Sequence, residues 1–392
     1  MTAPVTLEDL FETVDKLAPL LRQHADDAER DRRLAPPVLQ ALRDAGLFRM
    51  FRPRTRGGLE LDPTSEYRVA EAVARVDSAA AWNLQVANAS ELFGGWFPDD
   101  ANDRVFGAPE AIVAGAFNPH RRAEPVDGGY RVSGRVPFNS GCHGATWLIG
   151  LADVHDGDTP RVDADGRPET LLTAIPADEC RIVENWNTLG MRGTGSHDVE
   201  VGDVFVPRER AVPFGPLEEP SPAYATPLTP LAIWATVGCH ATVALGAAQA
   251  AVDELTGLGA RVPAYTERAL RDRSVVQMRL ARAEGLLAAA RAFFHQAYDE
   301  AWAAVQVRGR LAMGEKARCQ LASTNVVLAA AEAVDLVHAC VGSAGIRQEQ
   351  RFERHFRDIH VMTQHAFIGE ARLEAVGRIM LGLEPDWGFF QF

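Results

Sequence analysis

The sequence predicts a mainly helical α+β chain, built as a helical block, a β block and a second helical block. Three observations carry this. Apolar residues recur at helical spacing up to about residue 106; short alternating or wholly apolar runs bounded by Gly, Asp and Pro fill 111–213; long Ala-rich apolar stripes return beyond 230. With 392 residues, 47% of them hydrophobic, the chain can bury the cores of more than one domain. The change of texture divides it into an N-terminal helical domain at 1–108, a central β domain at 109–213 and a C-terminal helical bundle at 214–392.

In the first block, 38–46 reads as a helix that Gly46 stops, and 67–81 reads as one helix. Phe97-Pro98-Asp99-Asp100 reads as the closing turn. In the second block, 130–136 alternates, which puts Tyr130, Val132 and Val136 on one strand face; 147–150 and 171–175 are further strands. Seven prolines across 207–230 exclude a continuous helix there. In the third block, Leu280, Ala283, Leu287, Ala290 and Phe294 form one apolar stripe, with Arg279, Arg282 and Glu284 off it, and 326–341 repeats the style with small residues. Stripes of this length read as a bundle core rather than a cofactor box.

The formal net charge of -13 argues against a nucleic-acid binder, whose phosphate contacts need surplus Lys and Arg. Five cysteines, Cys142, Cys180, Cys239, Cys319 and Cys340, are scattered without a C-x-x-C pair, so neither a disulfide framework nor a zinc cluster is indicated. A reducing cytoplasm is expected. Residues 1–16 carry acids and no signal-type apolar core, and no stretch is read as a membrane span.

Three chemistries can be weighed on spacing. Gly193-Thr194-Gly195 lacks the third glycine of a dinucleotide loop and runs into a β-like segment rather than a helix. His355, His360 and His365 step by five, about 140° on a helix, so their imidazoles diverge from any one ion. No P-loop is present in the sequence.

What remains is Phe138-Asn139-Ser140-Gly141 at a strand end, then Leu189-Gly190-Met191-Arg192-Gly193-Thr194-Gly195-Ser196 leading into Asp203-Val204-Phe205-Val206-Pro207, then Arg357-Asp358 and His365. In this order and spacing the chain resembles the acyl-CoA dehydrogenase superfamily over nearly its whole length. Within it, the chain resembles the two-component flavin monooxygenase branch of p-hydroxyphenylacetate hydroxylases, dibenzothiophene monooxygenases and nitrososynthases. The resemblance implies the superfamily fold, with a C-terminal four-helix bundle, and a homotetramer. It also implies reduced FMN or FAD delivered by a separate flavin reductase, with dioxygen as co-substrate. A small aromatic, polycyclic or amine substrate would be oxidised through a C4a-hydroperoxyflavin.

The dehydrogenase's catalytic glutamate falls here on Ala366 or its neighbour, though Glu370, Glu374 or an acid elsewhere could replace it. A resident-FAD acyl-CoA dehydrogenase or oxidase is therefore the alternative, and a catalytically silent flavin-binding homologue the third. By resemblance, His365 faces the flavin's oxygen-reactive edge, where an imidazole titrating near working pH can supply a proton. Ser140 presents its hydroxyl and amide to flavin N5, flanked by Phe138, Asn139 and Gly141, and Phe117 contacts the pyrimidine edge. Arg261 and Gln277 resemble the phosphate holders, with Arg268, Arg271 and Arg273 competing. Trp82 and Asn88 occupy the substrate region. Phenol hydroxylases of the branch tend to carry a second histidine in the N-terminal half, yet no histidine lies between His24 and His120.

Overall fold

The computed structural model describes residues 5–163, 166–348 and 350–392. The first block forms α1 (Leu7–Asp31), α2 (Pro36–Asp44), α3 (Pro63–Val76), α4 (Ser78–Glu91) and α5 (Asp99–Phe106). Thr6 and Asp9 make a reciprocal capping box on α1, and Gly46, at φ 74°, takes the left-handed turn that follows α2. The helix expected over 67–81 is two. Asp77 adopts an extended backbone and its carboxylate accepts from Ala80 N at 2.7 Å, ending α3 and capping α4. Such a cap stabilises a helix by about 1 kcal/mol, enough to favour a break over a continuous apolar pattern. The expected turn at Asp99-Asp100 is instead the acidic first turn of α5, with Pro98 as its N-cap.

The strands are β1 (Val113–Gly115), β2 (Arg121–Val126), β3 (Gly129–Asn139), β4 (Trp147–Asp156), β5 (Thr159–Pro160), β6 (Thr170–Pro176), β7 (Arg181–Val183), β8 (His197–Pro207) and β9 (Ala211–Pro213). They form one sheet in the order β7-β8-β3-β2-β4-β6-β9, with β1 and β5 also on β4. The β1/β4 and β2/β4 pairs are parallel and the rest antiparallel. The β3/β8 register runs from Gly129↔Pro207 to Asn139↔His197. It thus delivers the Ser140 turn beside the Thr194-Gly195-Ser196 turn.

The last block forms α6 (Ala232–Gly257), α7 (Ser274–Arg308), α8 (Met313–Val341), α9 (Arg351–Met362) and α10 (Arg372–Met380). Instead of a fourth unbroken helix there are α9 and α10, and the break between them carries His365. By length and apolarity Thr229–Gly257 and Met313–Ile346 could each cross a membrane, with mean hydropathies of 1.5 and 1.6. This corrects the sequence reading. Both are bundle helices: the apolar window of the first is wholly buried inside the protein and that of the second half buried. Small residues let α6 sit at the centre; a Cβ on Gly246 would stand 2.3 Å from the Glu71 carbonyl of α3.

Candidate active site

Where the β domain, α4, the start of α6 and the α9–α10 break meet, a cavity of about 390 Å³ opens. Trp82, Phe117, Phe138, Ser140 and His365, all singled out in the sequence, line it. Phe138 stands 64% exposed on a positive-φ backbone at 63°, an aromatic plate held out beside the Ser140 turn. Asn139 and Gly141 shape that turn without lining the cavity: Asn139 Nδ2 donates to Val136 O at 2.7 Å, and Gly141 N donates to Thr194 O at 2.9 Å. A Cβ on Gly141 would meet Asn83 Oδ1 at 2.5 Å, so glycine is required by space as well as by its φ of 73°.

Asn88, Arg261 and Gln277, expected to contact ligand, lie away from the cavity. Asn88 is fully buried and away from the cavity; its Oδ1 accepts from Met50 N at 2.8 Å, and its Nδ2 donates to Leu47 O and Leu84 O. It fastens α4 to the 47–50 segment. Arg261 and Gln277 lie beyond the far end of α6. From His240 to Gly257 that helix rises roughly 26 Å at about 1.5 Å per residue, beyond the span of a ribityl phosphate. There the Gln277 side chain donates to Arg271 O at 2.8 Å.

The role expected of Ser140 also changes. Its amide donates to Phe138 O at 3.0 Å, and its hydroxyl belongs to a buried chain. Trp82 Nε1 donates to Ser140 Oγ at 3.1 Å; Ser140 and Ser196 hydroxyls meet at 2.6 Å, Ser196 and Thr194 at 2.6 Å, and Thr194 donates to Met191 O at 2.8 Å. Neither the amide hydrogen nor the hydroxyl hydrogen of Ser140 is left for a ring nitrogen in the cavity.

His365 gains a partner that the sequence reading missed. The His240 ring stacks on it at 4.7 Å and 16°, and Trp82 meets both edge-on, at 5.1 Å and 5.2 Å. His240 Nδ1 lies 2.7 Å from Thr236 O, a carbonyl that can only accept, so the proton is on Nδ1 and the lone pair on Nε2. At His365 the assignment reverses: Phe367 N donates to Nδ1 at 3.4 Å, which leaves the proton on Nε2. Burial pushes His240 down to about 4, and burial with the neighbouring His240 pushes His365 well below the usual histidine range. His365 therefore does not titrate near neutrality as expected; it offers a neutral N–H. The signal for His240 was slight: one histidine, a helical turn after Thr236, in a helix whose first half carries no other ionisable residue but Cys239.

A second missed feature is the C-terminal tail. Phe389 packs on the cavity residue Phe367 at 5.3 Å, Phe392 on Phe214 at 5.0 Å, and Phe117 on Phe93 at 4.9 Å. Lys316 Nζ holds the tail through Phe390 O at 3.0 Å. The three histidines stepped by five point to different partners, His355 to Glu254, His360 to Asp335 and His365 to the cavity. Among the described residues lining the cavity there is no carboxylate, and Glu370 and Glu374 are both exposed outside it. The walls fit a flat, partly polar ring system. They offer aromatic planes together with two imidazole Nε2 atoms that have no hydrogen-bond partner among the described residues.

Comparison with known proteins agrees with this layout. The acyl-CoA dehydrogenase N-terminal domain model matches residues 7–93, and the C-terminal domain model matches 238–370. The indole-3-acetate monooxygenase of Pseudomonas putida is 31% identical over 94% of this chain and 92% of its own. The chain belongs to the acyl-CoA dehydrogenase superfamily. Its relatives are oxygenases: the FADH(2)-dependent resorcinol hydroxylase, oxygenase component, of Rhizobium sp. is 28% identical over 94% of this chain and 93% of its own. The solved structure of XiaF from Streptomyces sp., in complex with FADH2 and glycerol, superposes with a TM-score of 0.88 at 27% identity, covering 97% of both chains.

Proposed function

We propose that this chain is the oxygenase component of a two-component flavin-dependent monooxygenase. It takes reduced FMN or FAD from a separate flavin reductase and uses dioxygen to hydroxylate a small aromatic substrate. The observation that carries the reading is the stacked His240–His365 pair in an aromatic cavity with no carboxylate among its described lining residues. A dehydrogenase needs a carboxylate base at that place. Relatives named as FADH(2)-dependent or as oxygenase components support the cofactor and the reductase partner.

When bound, the reduced flavin supplies the electrons that activate dioxygen. The protein's part is positional. Trp82, Phe117 and Phe138 offer faces for planar rings, and Phe367, backed by Phe389, forms an apolar side of the cavity. His365 holds its proton at Nε2 towards the cavity, where charge developing on oxygen can be met by a fixed donor. A homotetramer, as in the family, is part of the proposal; within one protomer Arg261 and Gln277 do not reach the cavity. A cytoplasmic location is supported by five unpaired cysteines.

The test is cofactor supply. The pure chain with reduced flavin, oxygen and substrate should form product, while NADH with oxidised flavin should give none until a flavin reductase is added. Turnover from NADH without a reductase, or anaerobic bleaching of bound FAD by an acyl-CoA, would overturn the reading.

A further inference from the structure

We infer that the buried hydroxyl chain from Met191 to Trp82 fixes Ser140 as a hydrogen-bond acceptor towards the cavity and thereby selects reduced over oxidised flavin. This rests on the flavin-monooxygenase reading above.

The polarity of the chain follows from counting protons. Met191 O is a carbonyl and only accepts, so Thr194 spends its one hydroxyl proton there, at 2.8 Å. In the 2.6 Å contact between Thr194 and Ser196, the donor must then be Ser196. With the Ser196 proton committed, the donor in the 2.6 Å contact between Ser140 and Ser196 must be Ser140. Trp82 Nε1 can only donate, so it occupies one Ser140 lone pair. One lone pair of Ser140 is left, and no proton. Trp82, Ser140, Thr194 and Ser196 are all buried.

Reversal is costly. To aim its proton into the cavity, Ser140 must release Ser196: either the two serine oxygens then face each other's lone pairs across 2.6 Å, or Ser196 and Thr194 turn in sequence and the Thr194 oxygen faces the Met191 carbonyl without a proton across 2.8 Å. The other cavity hydroxyls are committed in the same sense: Ser90 donates to Val86 O at 2.8 Å and Thr236 to Ala232 O at 2.9 Å. His240 Nε2 is a further acceptor. His365 Nε2–H is a donor in the cavity, whereas the side formed by Ser140, Ser90, Thr236 and His240 favours an occupant that brings N–H groups. Two-electron reduction makes that change in a flavin, since the central-ring nitrogen N5 is a bare acceptor when oxidised and an N–H donor when reduced. With N5 against Ser140, as the family resemblance implies, the reduced ring would gain a hydrogen bond where the oxidised ring would meet a lone pair. Ser196 and Thr194 act through Ser140 as positioning residues.

The experiment measures equilibrium binding of FMN and FAD, oxidised and after anaerobic reduction, to the full chain without substrate. Wild type should prefer the reduced form by roughly tenfold or more, the worth of one well-placed hydrogen bond. Ser196→Ala and Thr194→Val free the Ser140 proton, so oxidised flavin should bind more tightly and the preference should fall about tenfold. Thr194→Ser, which keeps the donor, should restore it even if Thr194→Val folds poorly. An unmoved preference in folded Ser196→Ala, or equal binding of both forms by wild type, overturns the inference while leaving the oxygenase reading intact. Failure to bind either form would bring down both.

Discussion

His240 and His365 divide the two hydrogen-bonding roles of imidazole between them, an accepting Nε2 and a donating Nε2–H, because each is locked through Nδ1 by a different backbone group. Since burial holds both neutral, protonation is not available as an ordinary switch near pH 6.5. Two outcomes follow at this scale. His365→Ala should cost 10²–10⁴-fold in oxygenation while flavin affinity and folding survive, because a positioned proton donor is lost and the ring-binding walls are not. In wild type, single-turnover product formation should hold its rate as pH falls through 6.5, since a depressed histidine stays neutral there. A rate that titrates at an ordinary histidine value would show that His365 carries a charge the structure does not allow. Loss of flavin affinity in His365→Ala would make it a packing residue.

Among the elements, α9 does most to set the site, although it touches the cavity only through the break that follows it. Asp358 Oδ1 accepts from Met191 N and Oδ2 from Ser78 Oγ, both at 2.5 Å, while Arg357 donates to Leu189 O at 2.7 Å. A Cβ on Gly190 would stand 2.4 Å from the Arg357 carbonyl carbon, so the loop can lie on α9 only with glycine there. The Arg357-Asp358 pair that marked the family in the sequence thus serves as a latch on the loop whose Met191 carbonyl ends the hydroxyl chain. Asp358→Ala leaves two buried donors unsatisfied and should cost about 2–4 kcal/mol in unfolding free energy. Asp335→Ala, which removes the surface partner of His360, should change it by under about 0.5 kcal/mol. Equal effects from the two would mean that the latch carries no stability. What was legible at this scale followed from periodicity and turn chemistry: the three blocks, the long α7 stripe and the Gly46 stop. The Asp77 break was hidden because apolar spacing continues across it, and a single carboxylate cap decides the outcome. The roles of Asn88 and of the Ser140 proton were also hidden, since both depend on partners from 38 to 56 residues away.

At the scale of the whole molecule, α3 and α4, the two N-terminal helices that pack on α6, are joined to each other through a carboxyl that should be neutral. Glu66 on α3 is fully buried, accepts from Gln85 Nε2 on α4 at 2.8 Å, and is pushed up to about 8 by burial. Its Oε2 lacks a donor, as does Gln85 Oε1, so a carboxylate there would leave a buried charge with a single hydrogen bond. The sign follows from linkage. Between the ordinary value of 4.5 and about 8 the folded state keeps a proton that the unfolded chain releases, so stability falls as pH rises through that window. Above it the full penalty, roughly 4–5 kcal/mol, has been incurred. Glu66→Gln carries no titrating proton and keeps an amide partner for Gln85. Its unfolding midpoint in denaturant should exceed that of wild type at pH 9 and converge with it below pH 4.5. A variant weakened by the same amount at every pH would mean that Glu66 is ionised in the folded protein and that the α3–α4–α6 junction is held by charge. A gap that opens only towards alkaline pH places the proton at that junction, about which the two helical blocks are packed.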